Sequence, residues 1–224
     1  MAVAHRPNNC YNHLRTSGQF VVKAARLCVP DANFTPCYLL MLNFQFTPFP
    51  ELRTARLHLR PMRETDAPAL LALRSNEQVA RYVDRKPEQS VEEVLVLIRK
   101  VTEAAADNTG INWTIARRED DALLGTIGFW RLVPEHHRAE IGYGLHPSHW
   151  QRGLMSEALA AVLDFGFRAL RLHSVEANVN PHNAASIRLL EKHGFVREAY
   201  FREDYYFRGK FLDSTIYSLL TPVR

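Results

Sequence analysis

The residues best suited to chemistry lie in the stretch AEIGYGLHPSHWQRGLMSEALAAVLDFGF, positions 139–167. A strand pattern ends at His146, the loop Trp150–Met155 follows, and an amphipathic helical pattern begins within a few residues. Such a turn leaves the first N–H groups of the helix unpaired and pointed at whatever sits above them. Together with the helix dipole they make an anion site suited to a pyrophosphate. Gly153 lets the backbone come close and Arg152 adds positive charge. A strand–Gly–helix turn also arises for packing alone, so the loop by itself leaves both readings open. Downstream, in VNPHNAASIRLLEKHGF, Asn183 and Ser186 are three apart and share one face at the start of a second helix. They suit a polar ligand, or alternatively an N-cap and a packing residue. Neither G-x-x-x-x-G-K-[ST] nor G-x-G-x-x-G occurs, so the two commonest nucleotide loops are absent. The ten histidines are scattered, with no H-x-x-x-H on a helix, and no metal site is expected.

Composition narrows the class. The 224 residues are 46% hydrophobic and 23% charged, ordinary values for a soluble globular protein. No apolar run reaches the roughly 18 residues a membrane span needs, so no membrane partner is expected. Residues 1–40 hold Arg6, Arg15, Lys23 and Arg26 against Asp31, a net of +3 out of a total of +4. The remaining +1 gives no reason to expect nucleic-acid binding, which calls for a basic stripe within the folded domain. Cys10, Cys28 and Cys37 also lie there, with spacing that suits neither disulfides nor zinc. A Cys nucleophile is thereby excluded from the rest of the chain, and a reducing cytoplasm is consistent with this usage. Residues 1–40 show no sustained period and are broken by Pro7, Gly18, Pro30 and Pro36. They are expected to be a disordered leader or an upstream extension, with a targeting signal as the other reading. The domain is expected over 41–224.

These residues need elements to hold them. Arg56–Arg60 alternates as a half-buried strand should. A helix is predicted over Glu64–Arg74, with Leu70, Leu71 and Leu73 inward. Ser90 followed by Glu93 caps a second, to about Ala106. Asn112–Arg117 and Leu123–Trp130 form a hairpin around Glu119-Asp120-Asp121. Arg138–His146 is a strand carrying Gly142 and Gly144, which mark a bulge or a close approach by a ligand. Helices follow at about Ser156–Leu170 and Asn183–His193, around a strand His173–Asn178. Strands Phe195–Tyr206 and Lys210–Leu219 end the chain, and the aromatic run Tyr200 to Phe211 lines an acceptor groove or packs in the sheet core. The order implies an α/β domain with a mixed sheet.

Taken together, these pieces resemble the GNAT superfamily of acetyltransferases, in particular the branch acting on ribosomal-protein N-termini (the RimJ/RimL type). The resemblance spans about residues 52–222. It rests on TARLHLRPM, LLGTIGF, AEIGYGL, HWQRGLMSEAL, NPHNAASIRLLEKHGF and EAYFREDYYFRGKFLDSTIYSLL, in that order. Against the wider superfamily pattern Q/R-x-x-G-x-G/A, Trp150 fills the first position and Met155 the last, as is usual in the ribosomal-protein branch. Gln151 stands where that branch often has glycine.

The resemblance implies an α/β GNAT fold, with a mixed sheet splayed at the cofactor site, and an acetyl group moving from acetyl-CoA to a primary amine. It places the cofactor against Leu145, Trp150, Gln151, Arg152, Gly153, Leu154, Met155, Ser156, Asn178, Asn183 and Ser186, with the thioester near Gly142–Gly144. A backbone N–H near Leu145 would hold the thioester carbonyl. Ser186 is the first choice to serve the leaving thiolate, Tyr205 the second, and Glu140 the base for the amine. The other reading of Glu140 is a strand-edge acid paired with Arg138. An α-amino group near pKa 8 is roughly a tenth to a quarter neutral around pH 7–7.5, so it needs only a weak base. The expected acceptor is a protein N-terminus such as that of a ribosomal protein. The alternatives are a small-molecule amine (amino acid, polyamine or aminoglycoside) or a non-catalytic acyl-CoA-binding regulator. Monomer and homodimer both remain open.

Overall fold

The segment 56–60 alternates because a strand turns successive side chains to opposite faces, and Leu57 and Leu59 are fully buried. The computed structural model describes residue 42 and residues 44–222, so the expected leader lies outside the described residues. Eight strands form one sheet: β1 (Leu52–Arg53), β2 (Leu57–Arg60), β3 (Ile111–Arg117), β4 (Leu123–Val133), β5 (Arg138–Leu145), β6 (Ser174–Val179), β7 (Val196–Phe207) and β8 (Lys210–Leu220). Their spatial order is β1-β2-β3-β4-β5-β6-β8-β7. Every neighbouring pair is antiparallel except β5 and β6, which are parallel. A parallel pair needs a crossover, and here α4 (Leu154–Arg168) makes it.

A short 3-10 turn at Glu64–Asp66 runs into α1 (Ala67–Arg74), followed by α2 (Glu77–Ala80) and α3 (Val91–Ala106). Leu70, Leu73, Val79, Val83, Val94 and Ile98 knit these helices into one apolar cluster. The other face of the sheet carries α4 and α5 (Ala184–Lys192), where Met155, Leu159, Val162, Leu189 and Leu190 meet Tyr143 and Leu145. Seven of the eight residues of β5 are buried, as expected of a strand covered on both faces. No described helix is long and apolar enough to cross a membrane.

Several boundaries differ from the sequence reading. The fourth helix starts at Leu154, two residues early, because Gly153 takes a left-handed conformation (φ 74°) and ends the loop there. Leu71 is only partly buried. The elements β1 and α2 are too short to show a period. Tyr200, Phe201, Tyr206 and Phe211 are 46–64% exposed, so they are not sheet core.

The decisive feature is where β5 and β6 stop pairing. Their register covers Arg138↔Ser174, Ala139↔Val175 and Glu140↔Glu176 only. Beyond Glu140, β5 stays with β4 as far as Leu145, and β6 stays with β8 as far as Val179. The two strands therefore part after Glu140. Gly142 and Gly144 lie in the parted segment, in unbroken register with Gly128 and Thr126. They are not a bulge.

Candidate active site

An antiparallel ladder turns the backbone groups of alternate residues toward alternate edges. The His146 N–H donates to the Leu124 carbonyl at 2.9 Å, so His146 faces β4. Leu145 and Tyr143 are one and three positions away, and their N–H and C=O groups point the other way, into the gap. The Leu145 carbonyl is already taken there by Trp150 Nε1 at 2.7 Å, which leaves its N–H as the donor facing the opening.

Below the gap, the loop of Trp150, Gln151, Arg152 and Gly153 leads into α4. Gly153 is the N-cap and no side chain caps the first turn, so the N–H groups of Leu154, Met155 and Ser156 have no partner within the helix. The loop is pinned from the residue just ahead of β2: Arg56 Nη1 donates to the Arg152 carbonyl at 2.9 Å, and Arg56 Nε binds Glu157 Oε2 at 2.6 Å. Thr54 Oγ1 donates to Glu157 Oε1 at 2.6 Å. Burial pushes the Glu157 carboxyl up, but these bonds outweigh it and hold the group below the glutamate range. Gln151 takes a positive φ of 59°, the conformation that would favour a glycine there. Met155 is buried, and Ser156 Oγ is bonded to His193 Nε2 at 2.8 Å. Beside the helix start lies a cleft of about 600 Å³ whose charged and titratable border is Arg56, Arg117, Arg118, Arg152 and His149 with one acid, Glu119.

Ser186 sits fully buried in the first turn of α5. Its N–H is capped by Asn183 Oδ1 at 3.1 Å, and its Oγ lies 2.7 Å from the Tyr143 hydroxyl. Asn183 is therefore an N-cap in fact, and one that fixes Ser186. The Tyr143–Ser186 bond joins β5 to α5 across the place where β5 and β6 have separated. Burial pushes the Tyr143 phenol far up, so it keeps its proton. Asn178 is buried on β6, opposite Ile216 of β8.

Glu140 stands at the apex of the gap and is buried. Its Oε2 accepts from Arg131 Nη1 at 2.9 Å, while Oε1 is buried without a partner. Arg138, the partner considered from the sequence, pairs with Glu176 instead, at 3.0 Å. Burial pushes the Glu140 carboxyl above the ordinary glutamate range, against the pull of Arg131. Tyr205 lies far out on the β7–β8 hairpin, opposite Leu212, and does not border the cavity above Gly142.

That cavity, about 360 Å³, lies on the opposite face of the sheet from Ser186. Leu70, Leu73, Val79, Val83, Leu97 and Val101 wall it; Asn112, Thr126, Trp130, Gly142 and Gly144 line its floor. Gly142 makes room for an indole: a Cβ would come within 1.6 Å of Trp130 Cη2, so any larger residue would have to displace that ring. The gap thus opens onto a basic helix start on one side and an apolar cavity on the other.

Residues 56–196 match the family described as Acetyltransferase (GNAT) domain. This chain belongs to the GNAT acetyltransferase family. An uncharacterized N-acetyltransferase of Bacillus subtilis (strain 168), YoaA, is 41% identical over 174 residues, 78% of this chain and 98% of the relative. The ribosomal protein uS5-alanine N-acetyltransferase of Escherichia coli (strain K12) is 30% identical over 105 residues, 46% of this chain and 54% of that enzyme. A solved GNAT-family acetyltransferase from Bacillus anthracis is 26% identical with a TM-score of 0.68, covering 76% of this chain and 98% of that one. The chain is an acetyl-CoA-dependent N-acetyltransferase with the α/β GNAT fold.

The candidate site contains residues that the sequence reading did not single out. Tyr143 lies between the two glycines of GYG, yet only the fold shows that it reaches Ser186. Arg131 and Trp130 adjoin Glu140 across the β4–β5 ladder, and Arg56 anchors the loop ahead of α4. The alternation of β5 was the one available signal for Tyr143, because it sets that side chain opposite to the glycines.

Proposed function

We propose that the chain acetylates an α-amino group, that of a protein N-terminus such as a ribosomal protein's, in the cytoplasm. The parting of β5 from β6 after Glu140 carries this reading, with an uncapped helix start on one side and a cavity on the other. The residues present fit the cofactor. Unpaired N–H groups at Leu154–Ser156, together with Arg152 and the neighbouring arginines, suit a pyrophosphate, and Gly153 adds no side chain between them and it. Trp150 and Gln151 shape the loop, while Asn178 and Asn183 would lie toward the cofactor's arm.

Acetyl-CoA supplies the acetyl group activated as a thioester. The Leu145 N–H donates to the negative charge that develops on an acyl oxygen in the gap. Ser186 donates its hydroxyl hydrogen to a leaving sulfur, and Tyr143 in turn donates to the Ser186 oxygen. Glu140 accepts the amine proton, directly or through water, while Tyr205, out on the β7–β8 hairpin, is set aside as the second acid. Apart from Glu140 at the apex of the gap, the charged groups among the described lining residues are the cations Arg74, Arg85 and Lys100, which disfavours a polyamine or aminoglycoside as the acceptor.

The test is CoA-thiol release by the full chain with peptides beginning Ala, Ser or Met, a blocked peptide bearing one lysine, and spermidine. Turnover of the free N-termini with the blocked peptide silent supports the reading; turnover of spermidine alone overturns it. Glu140 adds a pH signature. A base must be ionised, so with its carboxyl raised by burial the acid limb of kcat/KM is expected above the ordinary glutamate range. Glu140→Gln is expected to erase that limb and cut the rate by about a hundredfold, leaving only the acceptor amine's limb near about pH 8. An unchanged pH profile in the variant would reduce Glu140 to a partner of Arg131.

A further inference from the structure

The acceptor cavity is apolar over most of its wall, yet its ionisable lining besides the Tyr143 phenol is cationic: Arg74, Arg85 and Lys100. One carboxylate sits behind them. Glu88 gives one oxygen to Arg74 Nη2 and the other to Arg85 Nη1, and Arg85 Nη2 donates to the Arg74 carbonyl at 3.3 Å. Among the described lining residues three cations stand at the cavity, and Arg74 and Arg85 share the single carboxylate of Glu88. Arg74 Nε is buried without a partner, as is Asn112 Oδ1 on the floor. Burial pushes the Arg85 guanidinium down to about 10, and the neighbouring Arg74 charge adds to the effect. Arg85 remains charged near neutral pH, in a setting where a further anion would be favourable.

An incoming ammonium alone adds charge of the same sign. A carboxylate on the same acceptor reverses that balance, and guanidinium groups bind carboxylates with paired, charge-assisted hydrogen bonds. The cavity's 360 Å³ is within the range of small-ligand pockets and suits an aliphatic or aromatic group of modest size. We propose that the acceptor is an amine that carries a carboxylate beside an apolar portion, the carboxylate being received by Arg74, Arg85 and Lys100. The shared chemistry has two sources: a free amino acid, or a polypeptide N-terminus with an acidic side chain next to it. This inference rests on the acetyl-transfer reading of the site.

The full chain with acetyl-CoA is assayed, by thiol release and product mass, on leucine against leucinamide and on Ala-Asp-Leu-amide against Ala-Asn-Leu-amide. Spermidine is the cationic control. The carboxylate member of at least one pair is expected to win in kcat/KM by about ten- to a hundredfold, the worth of a hydrogen bond to a charged group. Leucinamide has the less basic amine, so intrinsic reactivity works against the expected result in the first pair. A preference for leucine identifies the free amino acid as the source; a preference confined to the Asp peptide identifies a protein N-terminus. Lys100→Gln, at an exposed position, and Arg85→Gln are both expected to narrow the winning ratio. The Lys100 variant keeps the test usable if loss of the Arg85–Glu88 pair prevents folding. Equal turnover within both pairs overturns the proposal, as does best turnover of spermidine. A thermal shift with CoA alone separates the two levels. Binding with no carboxylate preference defeats only this inference, whereas no binding defeats the acetyl-transfer reading and this inference with it.

Discussion

Replacing Ser186 by Ala is expected to lower kcat about a hundredfold, the usual effect of losing one well-placed donor at a site of developing charge. CoA affinity is expected to change little, because the hydroxyl acts on charge that appears only as the thioester breaks. The environment of Ser186 makes this testable. The residue is fully buried, its backbone is fixed by Asn183, and its hydroxyl is 2.7 Å from that of Tyr143. Ser186→Ala alone strands the buried Tyr143 hydroxyl, a cost of about 1–3 kcal/mol in stability. Pairing it with Tyr143→Phe removes both polar groups and is expected to recover most of that loss. Activity must not recover with it. A double variant that regains both Tm and kcat would show Ser186 to be a packing residue, and stopped-flow CoA release beside thermal melts reads both quantities.

The second large effect concerns the helices that wall the cavity above Gly142. Arg60 and Asp66 form a buried pair, with Nη1–Oδ2 and Nη2–Oδ1 both at 2.8 Å and exposures of 1% and 7%. Asp66 also accepts from the Arg63 N–H at 2.9 Å and from Thr114 Oγ1 at 3.3 Å, which ties the start of α1 to β2 and β3. Removing one member of such a pair leaves an uncompensated buried charge. Asp66→Ala is therefore expected to cost about 3–5 kcal/mol, a fall in Tm of about 10 °C for a domain of this size. Asp121, bound to Arg60 Nε at 3.0 Å, is too exposed to take over fully. Burial pushes the Asp66 carboxyl up, but Arg60 and the Arg63 N–H outweigh it, so the group lies below the ordinary aspartate value. A depressed folded-state pKa stabilises the fold fully above the unfolded value, about 3.9, and that contribution is lost as pH falls through the folded value. The gap in stability between wild type and Asp66→Asn is expected to close below about pH 4. Chemical denaturation of both proteins from pH 7 to pH 3 measures it, and a gap that stays constant would mean the carboxylate is not what stabilises α1.

These helices shape the cavity on one face of the sheet, and the loop at Gly153 shapes the helix start on the other. Both were partly legible in the residues. Period-2 and period-3.6 patterns located the strands and helices within a few positions, because burial of one face is a local property of a segment. Ser90 and Asn183 cap helices, accepting from the Glu93 and Ser186 N–H groups, since a side-chain oxygen at that offset meets an unpaired donor in most surroundings. Gly153 marked a helix start free of side chains for the same local reason.

What the tertiary structure decided was who faces whom. Glu140 is bonded to Arg131 and not to Arg138, because Arg131 comes from β4 on one side while Arg138, two residues away on the same strand, turns to Glu176. Tyr143 meets Ser186 across 43 positions of sequence, and Arg74 shares Glu88 with Arg85 only once α1 and the segment after α2 have folded together. Pairings of this kind depend on strand order and helix packing, which no single segment's pattern contains. The sequence by itself thus located the longer elements and, through its ordered motifs, the family. The point at which β5 leaves β6, and the charges gathered around the cavity beyond it, follow from long-range packing.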